Sequence, residues 1–130
     1  MMREVSMKSH WDTHRGVRFF YFDLSGFGDD DKGVIEECDK ADAVLMAEPE
    51  DSILILNDVR NSVGSLDVIK HLQLSADRSS PYIKRAAVVG VTGPKLILLQ
   101  LVNRFSRHPI VHFDDFEQAK DWLVTNEIPE

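Results

Sequence analysis

Four apolar runs set the limits on what this chain can fold into. They are "VRFFYFDLSG" (17–26), "SILILNDV" (52–59), "RAAVVGV" (85–91) and "PIVHF" (109–113). The first is dense in aromatic and β-branched residues and reads as a strand buried on both faces. After each run comes a segment whose apolar residues repeat at helical spacing. Strands that alternate with helices predict an α/β layer structure with a mainly parallel sheet, right-handed crossovers and helices covering its faces. Ahead of the first run, "KSHWDTHRG" reads as a partner strand turning at His14-Arg15-Gly16. Such an N-terminal edge hairpin makes the sheet mixed, with four to five strands and about four helices.

The helical segments carry their own start and stop signals. Val34, Ile35, Cys38, Ala41, Leu45 and Met46 share a face, with Asp29, Asp30 and Asp31 ahead of them and Pro49 beyond. Negative charge at that end meets the exposed N–H groups of a helix, and proline stops it. Ser65 is placed to cap a second helix through Leu66, Ile69, Leu72 and Ala76, broken by "SSP" at 79–81. A third helix runs from Lys95 to Arg107 after Pro94. In the fourth, Asp114 with Glu117 forms a capping box, and Ala119, Trp122 and Leu123 form the buried side.

Length and composition restrict the function classes. The 130 residues suit a single domain over 1–130, with 1–9 disordered or an edge strand and 126–130 a tail. A formal charge of −7 repels phosphate backbones and anionic membrane surfaces, so nucleic acid is not the expected partner. The single Cys38 allows no internal disulfide, as expected in a reducing compartment. With no signal-like N-terminus and no spanning-length apolar run, the expectation is a cytoplasmic protein that is not integral to a membrane.

The candidate sites divide into those that fail in detail and those that remain. "AAVVGVTGPK" (86–95) looks like a phosphate loop, but Gly90 and Gly93 are too close together, and Leu96 stands where a magnesium-binding hydroxyl belongs. It reads as a strand-to-helix turn. His10, Asp12 and His14 share one face of a strand without a fourth ligand, so no metal is expected. Asp29 to Asp31 lack the glycine and glutamate of a calcium loop. Asp23 and Asp58 close two strands, where ligands of open α/β sheets gather, with Lys95 as a potential third member. The acidic pair of a receiver domain is missing, because Leu24 and Ser25 follow Asp23, and aspartates in turns bond nearby backbone N–H groups. No nucleophile elbow links Ser62, Ser65, Cys38 and the histidines, and Cys38 sits on an apolar face as a packed thiol. On the third helix, Ile97, Leu98, Leu101, Val102 and Phe105 share one broad face, while Leu96 and Leu99 fall opposite with Gln100, Asn103 and Arg107. Two leucines on a polar face mark a contact surface for a partner, self-association or an apolar ligand.

The series "RGVRFFYFDLSG", "ILILNDV", "SSPYIKRAAVVGVTGPK" and "HFDDFEQAKDWL" resembles the bacterial SpoIIAA-like, or STAS-like, family over Gly16 to about Val124. Phe113, Ala119, Trp122 and Leu123 are its most telling part. The resemblance implies a STAS-type α/β sandwich without catalysis or cofactor. It also implies a regulatory, protein-interaction role in bacterial signalling, with distant CRAL-TRIO relatives holding lipids in an apolar cavity. Anti-sigma-factor antagonists of this fold carry a phosphorylatable serine in an Asp-Ser-x-Gly segment. Here "NSVG" (61–64) aligns Ser62 with that serine and Gly64 with the glycine, while Asn61 replaces the aspartate. Ser62 and Ser65 are therefore the candidate phosphorylation positions, and Arg60, Asn61, Ser62, Ser65, Leu96 and Leu99 the candidate partner-binding residues. A metal-dependent enzyme using Asp23 and Asp58 is the remaining alternative.

Overall fold

The computed structural model describes residues 7–62, 65–93, 95–104 and 109–127, with the side chains of Leu98 and Val102 excepted. Gly64 of the serine motif, Pro94, Phe105, Arg107 and the two ends of the chain therefore lie outside the described residues. The elements are β1 (His10–His14), β2 (Val17–Asp23), α1 (Asp31–Leu45), β3 (Ile53–Asp58), α2 (Leu66–Ser79), β4 (Ile83–Val89), α3 (Lys95–Asn103), β5 (Val111–Phe113) and α4 (Phe116–Thr125). A 3-10 turn at Ser80–Tyr82 joins α2 to β4.

The five strands pair in sequence order, β1-β2-β3-β4-β5. β1 and β2 form the antiparallel hairpin, and β2 through β5 are parallel. Arg15 and Gly16 both have positive φ (52° and 77°), the two-residue turn whose twist matches the flanking strands. Each parallel step moves one strand further in the same direction, so right-handed crossovers put α1 and α2 on one face. That face buries Phe20, Phe22, Ile55 and Ala86 against Val34, Cys38, Ala41 and Val68. α4 follows the edge strand β5 and folds back over the opposite face, where Ala119, Trp122 and Leu123 meet Phe19, Leu54, Leu56 and Val89. The β3–β4 register shifts between Ile53 and Leu54, leaving Lys84 exposed and aiming both Ile83 and Ala86 at the α1/α2 side.

Capping follows the sequence with one displacement. Asp30 accepts from the Gly33 N–H at 3.0 Å, and Ser65 accepts from the Val68 N–H at 3.2 Å. At α4 the cap is Asp115, which accepts from the Gln118 N–H at 3.3 Å, and not Asp114. Two adjacent aspartates both satisfy the sequence rule, and the strand-to-helix turn selects the second. No helix among the described residues is long and apolar enough to cross a membrane.

Candidate functional site

The stripe Val34-Cys38-Ala41-Leu45 turns one side of α1 toward the sheet, and Val68, Ile69 and Leu72 do the same for α2. Between these helices, α3 and the strands, the packing does not close. A pocket of about 160 Å3 remains, floored by Phe22, Ile55, Ala86 and Val88. Its volume comes from short side chains where long ones would interdigitate: Ala86 on β4 and Ser75, Ala76 and Ser79 on α2 all line it. Close-packed interiors rarely leave a void this large.

The two ends of the pocket are polar. At the carboxyl ends of β3 and β4, Asn57, Ser62 and Lys95 join the lining. Lys95 Nζ donates to the Val59 carbonyl oxygen at 2.7 Å. Burial pushes the Lys95 pKa down, and the Asp58 carboxylate works against that shift. At the other end Asp42, almost wholly buried, accepts from Ser75 Oγ at 2.7 Å and from Arg78 Nη2 at 2.8 Å. Burial raises the Asp42 pKa despite these partners. Nearby Cys38 is fully buried, and burial together with the Asp42 charge pushes its thiol up to about 12. Such a thiol is an inert packing group, as its position on the helix face predicts.

On the opposite face lies a second polar cluster, which is closed on itself. Asp58 is fully buried and accepts from the Tyr21 hydroxyl, the Arg60 N–H at 3.1 Å, Arg60 Nε at 3.0 Å and Arg60 Nη2 at 2.9 Å. Burial acts to raise its pKa, but the Arg60 and Tyr21 hydrogen bonds outweigh it and hold the carboxyl below its usual value. Arg60 also lies over the Phe116 ring, 4.5 Å from its centre. Gly90 comes so close that a Cβ there would stand 2.7 Å from the Arg60 backbone nitrogen, at φ +91°. Asp23 is used in the same turn-forming way, accepting from the Ser25 N–H at 2.9 Å. Asp23 and Asp58 pair in register, yet their oxygens serve turns, and Lys95 Nζ bonds to a carbonyl.

The other sequence candidates separate accordingly. Arg60 grips Asp58; Asn61 is exposed in a left-handed turn with φ 57°. Ser62 Oγ donates to the Leu24 carbonyl and accepts from the Phe27 N–H at 3.2 Å, tying the exits of β2 and β3 together. Ser65 Oγ donates to Asp31 at 2.8 Å while capping α2. Leu96 is 43% exposed, but so is the neighbouring Ile97, at 63%. The face assigned to α3 from periodicity is therefore corrected: Ile97 points outward, and Leu99 is half-buried and lines the pocket beside Lys95. "KLILLQLV" is apolar almost all round, so its spacing does not select a face; contact with α2, including Gln73 Nε2 to the Leu101 carbonyl at 3.0 Å, does. His14 bonds Asp121 of α4 at 2.6 Å and His10 packs edge-on to Tyr21. Among the described residues no three His, Cys, Asp or Glu side chains converge on a metal-sized site.

The sequence reading raised an apolar ligand beside α3 as an alternative, but it did not place the pocket between α1, α2, α3 and the sheet. Its signal is faint: Ala76 and Ala86 occupy apolar positions that larger residues would also satisfy. No family model, curated protein or solved structure matches the chain.

Proposed function

We propose that the chain is a non-enzymatic binding module whose pocket between α1, α2, α3 and the sheet holds a small apolar molecule. The observation that carries this reading is the 160 Å3 pocket, lined chiefly by aliphatic side chains together with Phe22. Ligand pockets are concave and mostly apolar, with a few polar groups that orient the guest. The aspartates best placed for catalysis are spent on structure, Asp58 on Arg60 and Tyr21, Asp23 on Ser25. The succession of four βα units supports placing the chain with the SpoIIAA-like, STAS-type domains that its sequence resembles.

Native mass spectrometry tests the reading. The purified protein should carry an added mass that denaturation releases, or should gain melting temperature when small hydrocarbons are supplied. A clean mass together with no gain in melting temperature contradicts it.

A second reading, a regulatory module of bacterial signalling that binds a protein partner or itself, is favoured by the placement of exposed apolar residues. Leu66 and Leu74 on α2 and Leu96 and Ile97 on α3 are all more than 40% exposed. Replacing Leu96 and Ile97 together by glutamate should leave the urea midpoint within the narrow range of surface substitutions and abolish association. Association that survives the pair of charges removes this surface from consideration.

A further inference from the structure

The pocket is electrically lopsided. Lys95 stands where β4 hands over to α3, at the carboxyl ends of the strands, and its side chain lines the cavity. Asp42 lines the other end, about 16 Å along α1 from that helix's start. The two charges differ in how well they are matched. Asp42 faces a hydroxyl and a guanidinium at hydrogen-bond distance. Lys95 has three donors to place, and among the described residues its ammonium bonds one neutral carbonyl and forms no ion pair. Asp58, the carboxylate whose field reaches it, is itself held by Arg60.

From this polarity, and on the premise that the pocket is a ligand site, we propose that it selects short single-chain amphiphiles with a carboxylate head. The head meets Lys95 and the hydrocarbon runs toward the Asp42 end. Size supports a short chain: an apolar cavity of about 150 Å3 holds one benzene, so this one accommodates about six to eight carbons. A diacyl lipid does not fit inside it. Charge supports a monoanion: one ammonium neutralises one carboxylate, whereas a phosphate dianion would leave net negative charge in a mostly apolar pocket. Asp42 at the far end opposes an anion entering in the reverse direction.

Calorimetric titration with octanoate, 1-octanol and octylamine, three probes with one tail and three heads, tests the assignment. The wild-type protein should bind octanoate about tenfold more tightly than octanol, the scale of one charge-assisted hydrogen bond, and octylamine most weakly. Lys95→Met should erase the preference, so that octanoate binds no more tightly than octanol; Lys95→Arg should keep it. Octanol binding as well as octanoate in the wild type, or a preference that persists in Lys95→Met, overturns the role of Lys95 while the pocket stands. Binding of none of the three overturns the pocket and this inference together. The wild-type comparison of heads needs no variant, so a poorly folded substitution does not remove the test.

Discussion

Filling the pocket should stabilise the protein, which is the reverse of what enlarging a core residue normally does. The side chains that border the pocket of about 160 Å3 lack packing partners on that side. Ala76 lies on α2 with its side chain against that space. Ala76→Leu adds three carbons, about 2.4 kcal/mol if all are buried at ~0.8 each. Ordering the leucine side chain removes about 0.5–1 kcal/mol of that. Alanine and leucine are both strong helix formers, so α2 itself changes little. The net expectation is a gain of about 1.5 kcal/mol. Urea unfolding reads it as a midpoint raised by about 0.5–1 M with an unchanged slope. The same leucine should weaken binding of any hydrocarbon guest. A close-packed site would instead lose about 1–3 kcal/mol through overpacking. A lowered midpoint at constant slope would therefore refute the reasoning.

Asp58→Asn should cost about 2 kcal/mol, because the amide cannot accept from Arg60 and Tyr21 as the carboxylate does. Its pH signature follows from the depressed pKa: the stabilisation is present above about pH 4, the unfolded value, and is lost as pH falls through the lower folded value. Chemical denaturation across pH 2–6 should accordingly show a shallower acid loss in the variant than in the wild type. Gly90→Ala should destabilise by about 2 kcal/mol, since it places a Cβ 2.7 Å from the Arg60 nitrogen at φ +91°; thermal melts that match the wild type would contradict the tight approach. Cys38, with its thiol raised to about 12 and its surface fully buried, should resist a thiol reagent at neutral pH until denaturant is added. Rapid labelling of the native protein would mean that α1 does not pack as described.

The layout of the chain was legible because β2 to β5 are compact apolar runs with turn residues at their ends. The βα alternation, the hairpin turn at Arg15-Gly16 and the caps at Asp30 and Ser65 follow from local rules that tertiary contacts did not override. Legibility fails where local rules give ties. Asp114 and Asp115 both satisfy a cap, and the leucine-rich α3 carries apolar residues all round, so its few polar positions do not fix its orientation and Ile97 and Leu99 exchanged places. The position and bounds of the pocket were illegible for a different reason. The pocket is a deficit of volume summed over Ala86 and the short side chains of α2, which are distant in sequence, and apolar periodicity records only that a position is buried. The Asp58–Arg60 clasp lies between these cases: an acidic residue closing an apolar strand, with arginine two places later, is visible, but its fully buried setting is not.

The two faces of the sheet give the most direct test of the claim that the pocket admits a guest. Methyl-labelled protein titrated with benzene and followed by NMR separates them. Shifts and intermolecular contacts are expected at the methyl groups of Val34, Val68, Leu72 and Val88, which line the pocket, and none at Leu54, Leu56 or Leu123 under α4. Uniform silence at the pocket methyls, or equal responses on both faces, would contradict it.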